Sequence, residues 1–176
     1  VFRALVTLQA HGMVEVEDPG QVWHIGPGTF RAGSAFLKRT KITERARAPM
    51  EALRDSTGET VSLAIESKAE VLFLSQVESP ADLRALFPPG STGLMHLCAP
   101  GKALLAWYPA EKRAQILQAK GMPRATSLSL SSPESLARDL ERSRERGFAI
   151  DDQERADGMR GVAAPIFNAF GEAVAA

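Results

Sequence analysis

A mixed α+β fold is predicted by three features of the sequence. An apolar stretch of helical period, residues 1 to 11, leads into short alternating segments on either side of a Pro-Gly turn. After residue 57 the apolar period changes from helical to alternating. Beyond residue 90, three helical segments with small or capping residues at their starts are interleaved with short strands.

In the first segment, VFRALVTLQAH, Val1, Leu5 and Leu8 share a helical face, with Phe2 and Val6 beside it. Gly12 stands where a helix-ending glycine is expected. MVEVED and VWHI, joined across Asp18-Pro19-Gly20-Gln21, read as a hairpin. A helix followed by such a hairpin is the back half of a winged helix-turn-helix. Residues 29 to 40 predict a connecting helix interrupted at Gly33-Ser34. Ile42 to Ser56 predicts another, with Thr43 as its cap and Ile42, Ala46, Met50 and Leu53 on one face. Pro49 predicts a kink in it.

Strands are predicted at Thr60–Ile65, Val71–Val77 and Leu83–Phe87. Pro109 fits the first residue of a helix reaching Lys120 and closed by Gly121. Ser131 and Glu134 stand at capping-box spacing and start a helix that carries Leu136 and Leu140 inward and ends at Gly147. Phe148–Ile150, Gly161–Phe167 and Glu172–Ala176 read as strands, the whole forming a mostly antiparallel sheet. The chain opens inside an apparent helix without a cap and closes inside an apparent strand, so further elements are expected at both ends.

At 176 residues the chain can bury one sizeable core. With 44% apolar and 24% charged residues it belongs with ordinary soluble globular domains. Lys+Arg and Asp+Glu balance at 21 each, so net charge does not argue for nucleic acid, although a local basic patch would. The single cysteine, Cys98, excludes an internal disulfide and fits a reducing, cytoplasmic compartment. No run is long enough to span a bilayer, so no membrane partner is expected.

Gly90 to Trp107 (GSTGLMHLCAPGKALLAW) passes from a turn into an apolar helix. The first amides of a helix have no internal partner, and the helix dipole leaves positive charge there. The small residues Cys98, Ala99, Pro100 and Gly101 would let a small carboxylate approach those amides, or would simply build a tight turn. Pro100 has no N–H, which leaves Ala99 and Gly101 as donors. His96 and Cys98 are too few for a zinc site, which needs about four ligands. A Cys98/His96-dependent hydrolase remains an alternative, with Cys98 activated at the helix start. No orienting partner is visible for it, so no catalytic residue, cofactor or metal is assigned. Lys102 reads as a surface lysine.

Taken together, VFRALVTLQAHGMV, TGETVSLAI, GKALLA and GFAIDDQE, followed by Gly158 and AAPIF, resemble the IclR family of bacterial transcriptional regulators over the whole chain. The resemblance implies a partial winged helix-turn-helix DNA-binding domain over 1–28, a linker helix over 29–41 and a GAF-like effector-binding domain over 42–176. It implies double-stranded operator DNA as a partner, and self-association as a dimer or dimer of dimers. The implied effector is a small organic acid, glyoxylate- or pyruvate-like or aromatic, that alters promoter binding or recruitment of RNA polymerase. A stand-alone small-molecule sensor is the alternative within the same fold.

On DNA, the resemblance assigns Arg3 a base or phosphate contact, the alternative being a solvated surface arginine. Thr7, one turn on, would touch phosphate, and Gln21 and His24 would meet the backbone or minor groove. Trp23 reads as the wing's packing residue. On the effector, the resemblance aligns Cys98, Ala99, Pro100 and Gly101 with the binding loop. Asp151 matches a family aspartate at the polar end of the ligand, where two bare anions would need a proton, a water or a hydroxyl group between them. Its bland alternative is an exposed strand end at Asp151-Asp152. Met159 and Gly161 match the pocket wall, with glycine suggesting a roomier pocket or a different ligand. Leu83 and Ala85 would form an apolar roof or ordinary strand core. Two hydroxyl residues that complete the pocket in relatives fall beyond the last residue of this sequence.

Overall fold

The computed structural model describes residues 1–17, 19, 22–79 and 87–176. They form two compact units, Val1–Arg47 and Ala48–Ala176. The fold is α+β, and among the described residues every strand pairing is antiparallel. Among the described residues no helix is long and apolar enough to cross a membrane.

In the first unit, α1 covers Phe2–Ala10. Gly12 adopts φ +65° just past its end, and the Gly12 and Met13 amides close the last turn onto Gln9 and Leu8. Strands β1 (Val14–Glu17) and β2 (Val22–Ile25) pair with Val14 opposite Ile25 and Glu17 opposite Val22. Helix α2 runs over Pro27–Thr40 without a break. The interruption expected at Gly33-Ser34 is absent, because a helix tolerates a glycine at a cost of only about 1 kcal/mol. Its start is two residues earlier than expected, since Pro27 suits a first helical position whose N–H has no partner. Thr29 Oγ1 donates to the Met13 carbonyl at 2.7 Å and ties this start to the α1–β1 turn.

Helix α3 covers Ile42–Thr57 and contains Pro49. The division between the units falls inside it, between Arg47 and Ala48. Thr43 is not its cap. Lys41, in the left-handed conformation at φ 49°, accepts the Arg45 amide and holds the cap position. Met50 is buried, but Leu53 is 52% exposed and lies off the packed face.

The second unit is built around α4, Ala99–Trp107, which is buried at Ala99, Gly101 and every position from Lys102 to Ala106. It packs against β3 (Val61–Ser67), β4 (Glu70–Val77), β6 (Ala149–Asp152), β7 (Arg160–Ala163), β9 (Ala173–Ala175) and α6 (Pro133–Arg146). Fully burying Leu104 and Leu105 stabilises the core by about 1.5–3 kcal/mol each. Strands β3 (Val61–Ser67) and β4 (Glu70–Val77) form a hairpin turned by Lys68 and Ala69, both at positive φ. A bulge between Leu63 and Ala64 breaks the expected alternation, so both residues are buried in succession.

The third strand of this sheet is β5, Thr92–Leu94, paired with β4. It lies in a stretch that reads as a turn, because three residues carry no period. The strand expected at Leu83–Phe87 lies outside the described residues except for Phe87, which forms a bend.

Helix α5 covers Ala110–Lys120, with Pro109 one place earlier than expected, at the cap. Helix α6 covers Pro133–Arg146. Its capping box uses Ser132 and Ser135 rather than Ser131 and Glu134: the Ser135 amide donates to Ser132 Oγ at 3.1 Å. Pro133 takes the first helical position, which sets Ser132 as the cap. Strands β6 (Ala149–Asp152) and β7 (Arg160–Ala163) pair, as do β8 (Ile166–Phe167) and β9 (Ala173–Ala175). The single strand expected over Gly161–Phe167 is split at Ala164-Pro165. Ala64 and Ala176 exchange backbone bonds of 2.8 and 2.9 Å, which join the last strand to β3.

Candidate functional site

Three of the residues singled out in the sequence meet at the start of α4. Asp151 on β6 stands directly opposite Gly161 on β7 in the antiparallel ladder. A Cβ placed on Gly161 would lie 3.6 Å from the Ala99 Cβ and 3.9 Å from the Asp151 Cβ. Strand pairing therefore aims this corner of the sheet at the first turn of the helix.

Asp151 is 2% exposed and Asp152 is exposed, so the two neighbours differ in role. Asp152 takes an ion pair from Arg160 at 2.7 Å. Asp151 Oδ1 accepts the Glu154 amide at 2.8 Å, which closes the loop after β6. Burial pushes the Asp151 carboxyl above its ordinary range, against the opposing pull of the Glu154 amide and the Lys102 charge.

Cys98 caps α4 from an extended conformation, and its thiol donates to the Leu94 carbonyl at 3.3 Å. Burial pushes this thiol up to about 12, so it stays protonated at neutral pH. His96 is also buried. Burial holds its ring below the ordinary imidazole range, and Nε2–H donates to the Pro123 carbonyl at 3.0 Å. Each of the two side chains is bonded to a backbone carbonyl. A thiolate–imidazole pair is not formed.

Gly101 has a packing task. A Cβ there would collide with the backbone of Met95, 2.6 Å from its Cα. Its amide is also engaged by Cys98 Sγ. Of the residues at the helix start this leaves Ala99, since Pro100 has no N–H. Met159 is half-buried in the β6–β7 turn, where its carbonyl accepts the Gln153 amide at 2.9 Å. Leu83 and Ala85 lie outside the described residues.

Lys102 corrects the sequence reading. It is fully buried, not on the surface, because α4 is apolar on all sides and leaves its stem no route to water. Its ammonium lies 2.6 Å from Glu154 Oε1 and 2.9 Å from Asp139 Oδ2. The contact to Asp139 is an ion pair off the hydrogen-bonding angle, since Oδ2 makes no hydrogen bond. Burial pushes the Glu154 carboxyl up, and Lys102 pulls against it. Ser129 and Thr126 hold the Glu154 loop by bonds to its carbonyls, with Ser129 Oγ at 2.6 Å. A sequence signal that could have found this triad is the apolar surroundings of Lys102 in APGKALLAW, but the identity of its carboxylate partners is not contained in that run.

In the first unit, Arg3 and Thr7 are exposed on α1, and Thr7 Oγ1 donates to the Arg3 carbonyl at 3.0 Å. His24 Nε2 faces Glu17 Oε2 at 3.0 Å across the hairpin. Trp23 is half-buried, edge-on to Phe2 at 6.5 Å, in a packing role. Gln21 lies outside the described residues. Among those residues no group of three or more His, Cys, Asp or Glu is placed to hold a metal ion. A surface hollow of about 260 Å³ on α6 is lined by Arg138, Glu141, Arg142 and Glu145, all exposed, and touches none of these residues.

Residues 34–176 match the family described as "Bacterial transcriptional regulator IclR C-terminal". The HTH-type transcriptional regulator BhcR of Paracoccus denitrificans is 45% identical over 175 residues, which cover 99% of this chain and 63% of that protein. The transcriptional repressor IclR of Escherichia coli K12 is 36% identical over 177 residues, covering 99% and 64%. The chain therefore spans somewhat under two thirds of the length of these relatives. The crystal structure of the Thermotoga maritima IclR superposes with a TM-score of 0.82 at 28% identity, covering 99% of this chain and 70% of that one.

Proposed function

Because the chain belongs to the IclR family of bacterial transcriptional regulators, a family of regulators and not of enzymes, we propose that it works as a ligand-responsive, DNA-binding regulator. In this reading residues 1–28 are the DNA-contacting part, 29–41 the linker helix and 42–176 a GAF-like effector-binding domain. The observation that carries it is the convergence of Ala99, Asp151 and Gly161 at the start of α4. The corner joins a helix start, which favours an anion, to a buried carboxyl that can share a proton or a hydroxyl with it.

The effector in this reading is a small organic acid, glyoxylate- or pyruvate-like or aromatic, and the first two are the smallest candidates to test. Cys98, Pro100 and Met159 surround the ligand, Ala99 supplies the amide and Gly101 seats the helix. Arg3, Thr7, Gln21 and His24 face operator DNA in a dimer or dimer of dimers. A ligand shifts such a protein only through its differential affinity for two states, which would then alter promoter binding or polymerase recruitment.

Fluorescence anisotropy of the full-length protein on duplex DNA from its own promoter tests the DNA half. Affinity should fall steeply as salt rises, and Arg3→Ala should weaken it by about tenfold. No binding to that duplex at low salt would favour a stand-alone sensor. Titration calorimetry with glyoxylate and pyruvate tests the pocket: Ala99→Trp should abolish the binding seen with the parent. Unchanged binding would move the effector elsewhere.

A further inference from the structure

Next to the proposed pocket lies an arginine, Arg155, with one buried N–H group that has no acceptor among the described residues. Arg155 follows Glu154 in the loop after β6 and is partly buried. Its guanidinium lies over the Phe87 ring, with Cζ 4.0 Å from the centroid, and Phe87 stacks on Phe73 at 4.5 Å. On its other side the guanidinium fills the space that Gly93 leaves empty. A Cβ at position 93 would come within 3.5 Å of Arg155 Cζ and would collide with Nη1. The same point is 3.8 Å from Cys98 Sγ, so Arg155, Gly93 and the residue that caps α4 meet in one place. Nη1 is buried and has no hydrogen-bond partner among the described residues.

A guanidinium keeps its charge at any ordinary pH, and a buried N–H without an acceptor is costly. Stacking on Phe87 covers its π face and leaves the in-plane N–H edge, the side that accepts a carboxylate. The charge count then restricts the ligand. The Lys102 ammonium is already shared by Asp139 and Glu154, and Asp151 adds a third carboxyl group. A ligand with a second carboxylate would add a negative charge beside these three groups, where Lys102 and Arg155 are the cations that act on Asp151.

We infer that Arg155, seated in the notch left by Gly93, receives the carboxylate of the effector and restricts the pocket to small monocarboxylates. This rests on the pocket proposed above. It adds a specificity-determining residue that the family-matched positions do not include. Gly93 acts as a positioning residue, because any side chain there would push the guanidinium aside.

The test is titration calorimetry of the full-length protein with four probes: glyoxylate, pyruvate, the dianion oxalate and the neutral amide pyruvamide. At least one monocarboxylate should bind about tenfold or more tighter than oxalate or pyruvamide. Arg155→Gln should weaken it about 10- to 100-fold, the loss expected for a charge-assisted bond. Arg155→Lys should recover part of the affinity, since it restores the charge without the fork. Gly93→Ala should weaken binding with the charge intact, and it needs only a shift of a flexible side-chain end to fold. Unfolding midpoints within a few degrees of the parent's identify variants that are folded.

Parent-like affinity in folded Arg155→Gln, with binding lost in Ala99→Trp, overturns the role of Arg155 and leaves the pocket in place. Loss in Arg155→Gln with full binding in Ala99→Trp keeps Arg155 and removes the α4 wall. Oxalate or pyruvamide binding as tightly as the monocarboxylates overturns the charge restriction. Absence of binding by all four probes overturns both proposals.

Discussion

Lys102 is the residue on which the second unit's electrostatics turn. Its ammonium is fully buried between Glu154 and Asp139, which belong to a loop and to α6. Lys102→Met would keep much of the volume but leave two buried carboxyl groups without a cation. Urea unfolding should show a loss of about 3–5 kcal/mol, the usual cost of breaking a buried pair from one side. A loss below about 1 kcal/mol would mean that the triad is not closed in solution. Asp151 gives a prediction in pH. Burial raises its carboxyl, so the folded chain holds that proton more tightly than the unfolded chain does. Its contribution to stability is therefore greatest at low pH and declines as pH rises from the ordinary aspartate range through the raised folded value. Asp151→Asn keeps an acceptor for the Glu154 amide and removes the ionisation. The melting temperature of the variant relative to the parent should rise between pH 4 and pH 8. A constant difference across that range would show that Asp151 does not titrate differently in the two states. Neither effect was visible from residue types alone. A lysine in a helix's first turn reads as surface, and Asp151 reads either as a ligand contact through the family resemblance or as an exposed strand end, until the packing is known.

At the scale of the element, helices were more legible than strands. Apolar period located α1, α3 and α4, while Pro109 with Gly121 located α5 and the Ser-Ser-Pro start located α6; the errors concern helix ends, the Leu53 face of α3 and the break expected in α2. At α6 the serine pair and the proline allow two registers for the cap, and only the backbone shows that Ser132 holds it. Ser132→Ala should cost about 1 kcal/mol in denaturant unfolding, and Ser131→Ala should fall within about 0.5 kcal/mol of the parent. The reverse order would restore the Ser131 cap. Strands were harder where tertiary pairing makes them. Strand β5 has three residues and exists because β4 offers it an edge. The β3 bulge moves Ala64 inward beside Leu63, and no period-two pattern contains that step. Pro165 divides what reads as one strand into β7 and β8.

At the scale of the whole molecule, the two units differ in how they bury their helices. Helix α1 has no buried residue, and Phe2, Val6 and Leu8 are exposed, whereas seven residues of α4 are buried. Hydrogen exchange of the chain should show the α4 amides as the slowest and the α1 amides among the fastest, since protection follows burial and cooperative packing. Equal protection in the two helices would mean that α1 is covered in solution. The sequence by itself determined the α+β class, the helix-plus-hairpin opening, the family resemblance and the stretch that begins α4. Those features depend on local period, turn chemistry and motif order, all of which lie along the chain. The tertiary structure decided that Asp151 is buried while Asp152 is not, that Gly161 faces Ala99, that Lys102 holds two carboxyl groups, and that Arg155 fills the notch at Gly93. Each of these joins residues tens of positions apart or depends on which side of an element is covered. Burial and charge pairing are set by what packs across a strand or helix, and that partner is not written next to the residue it constrains.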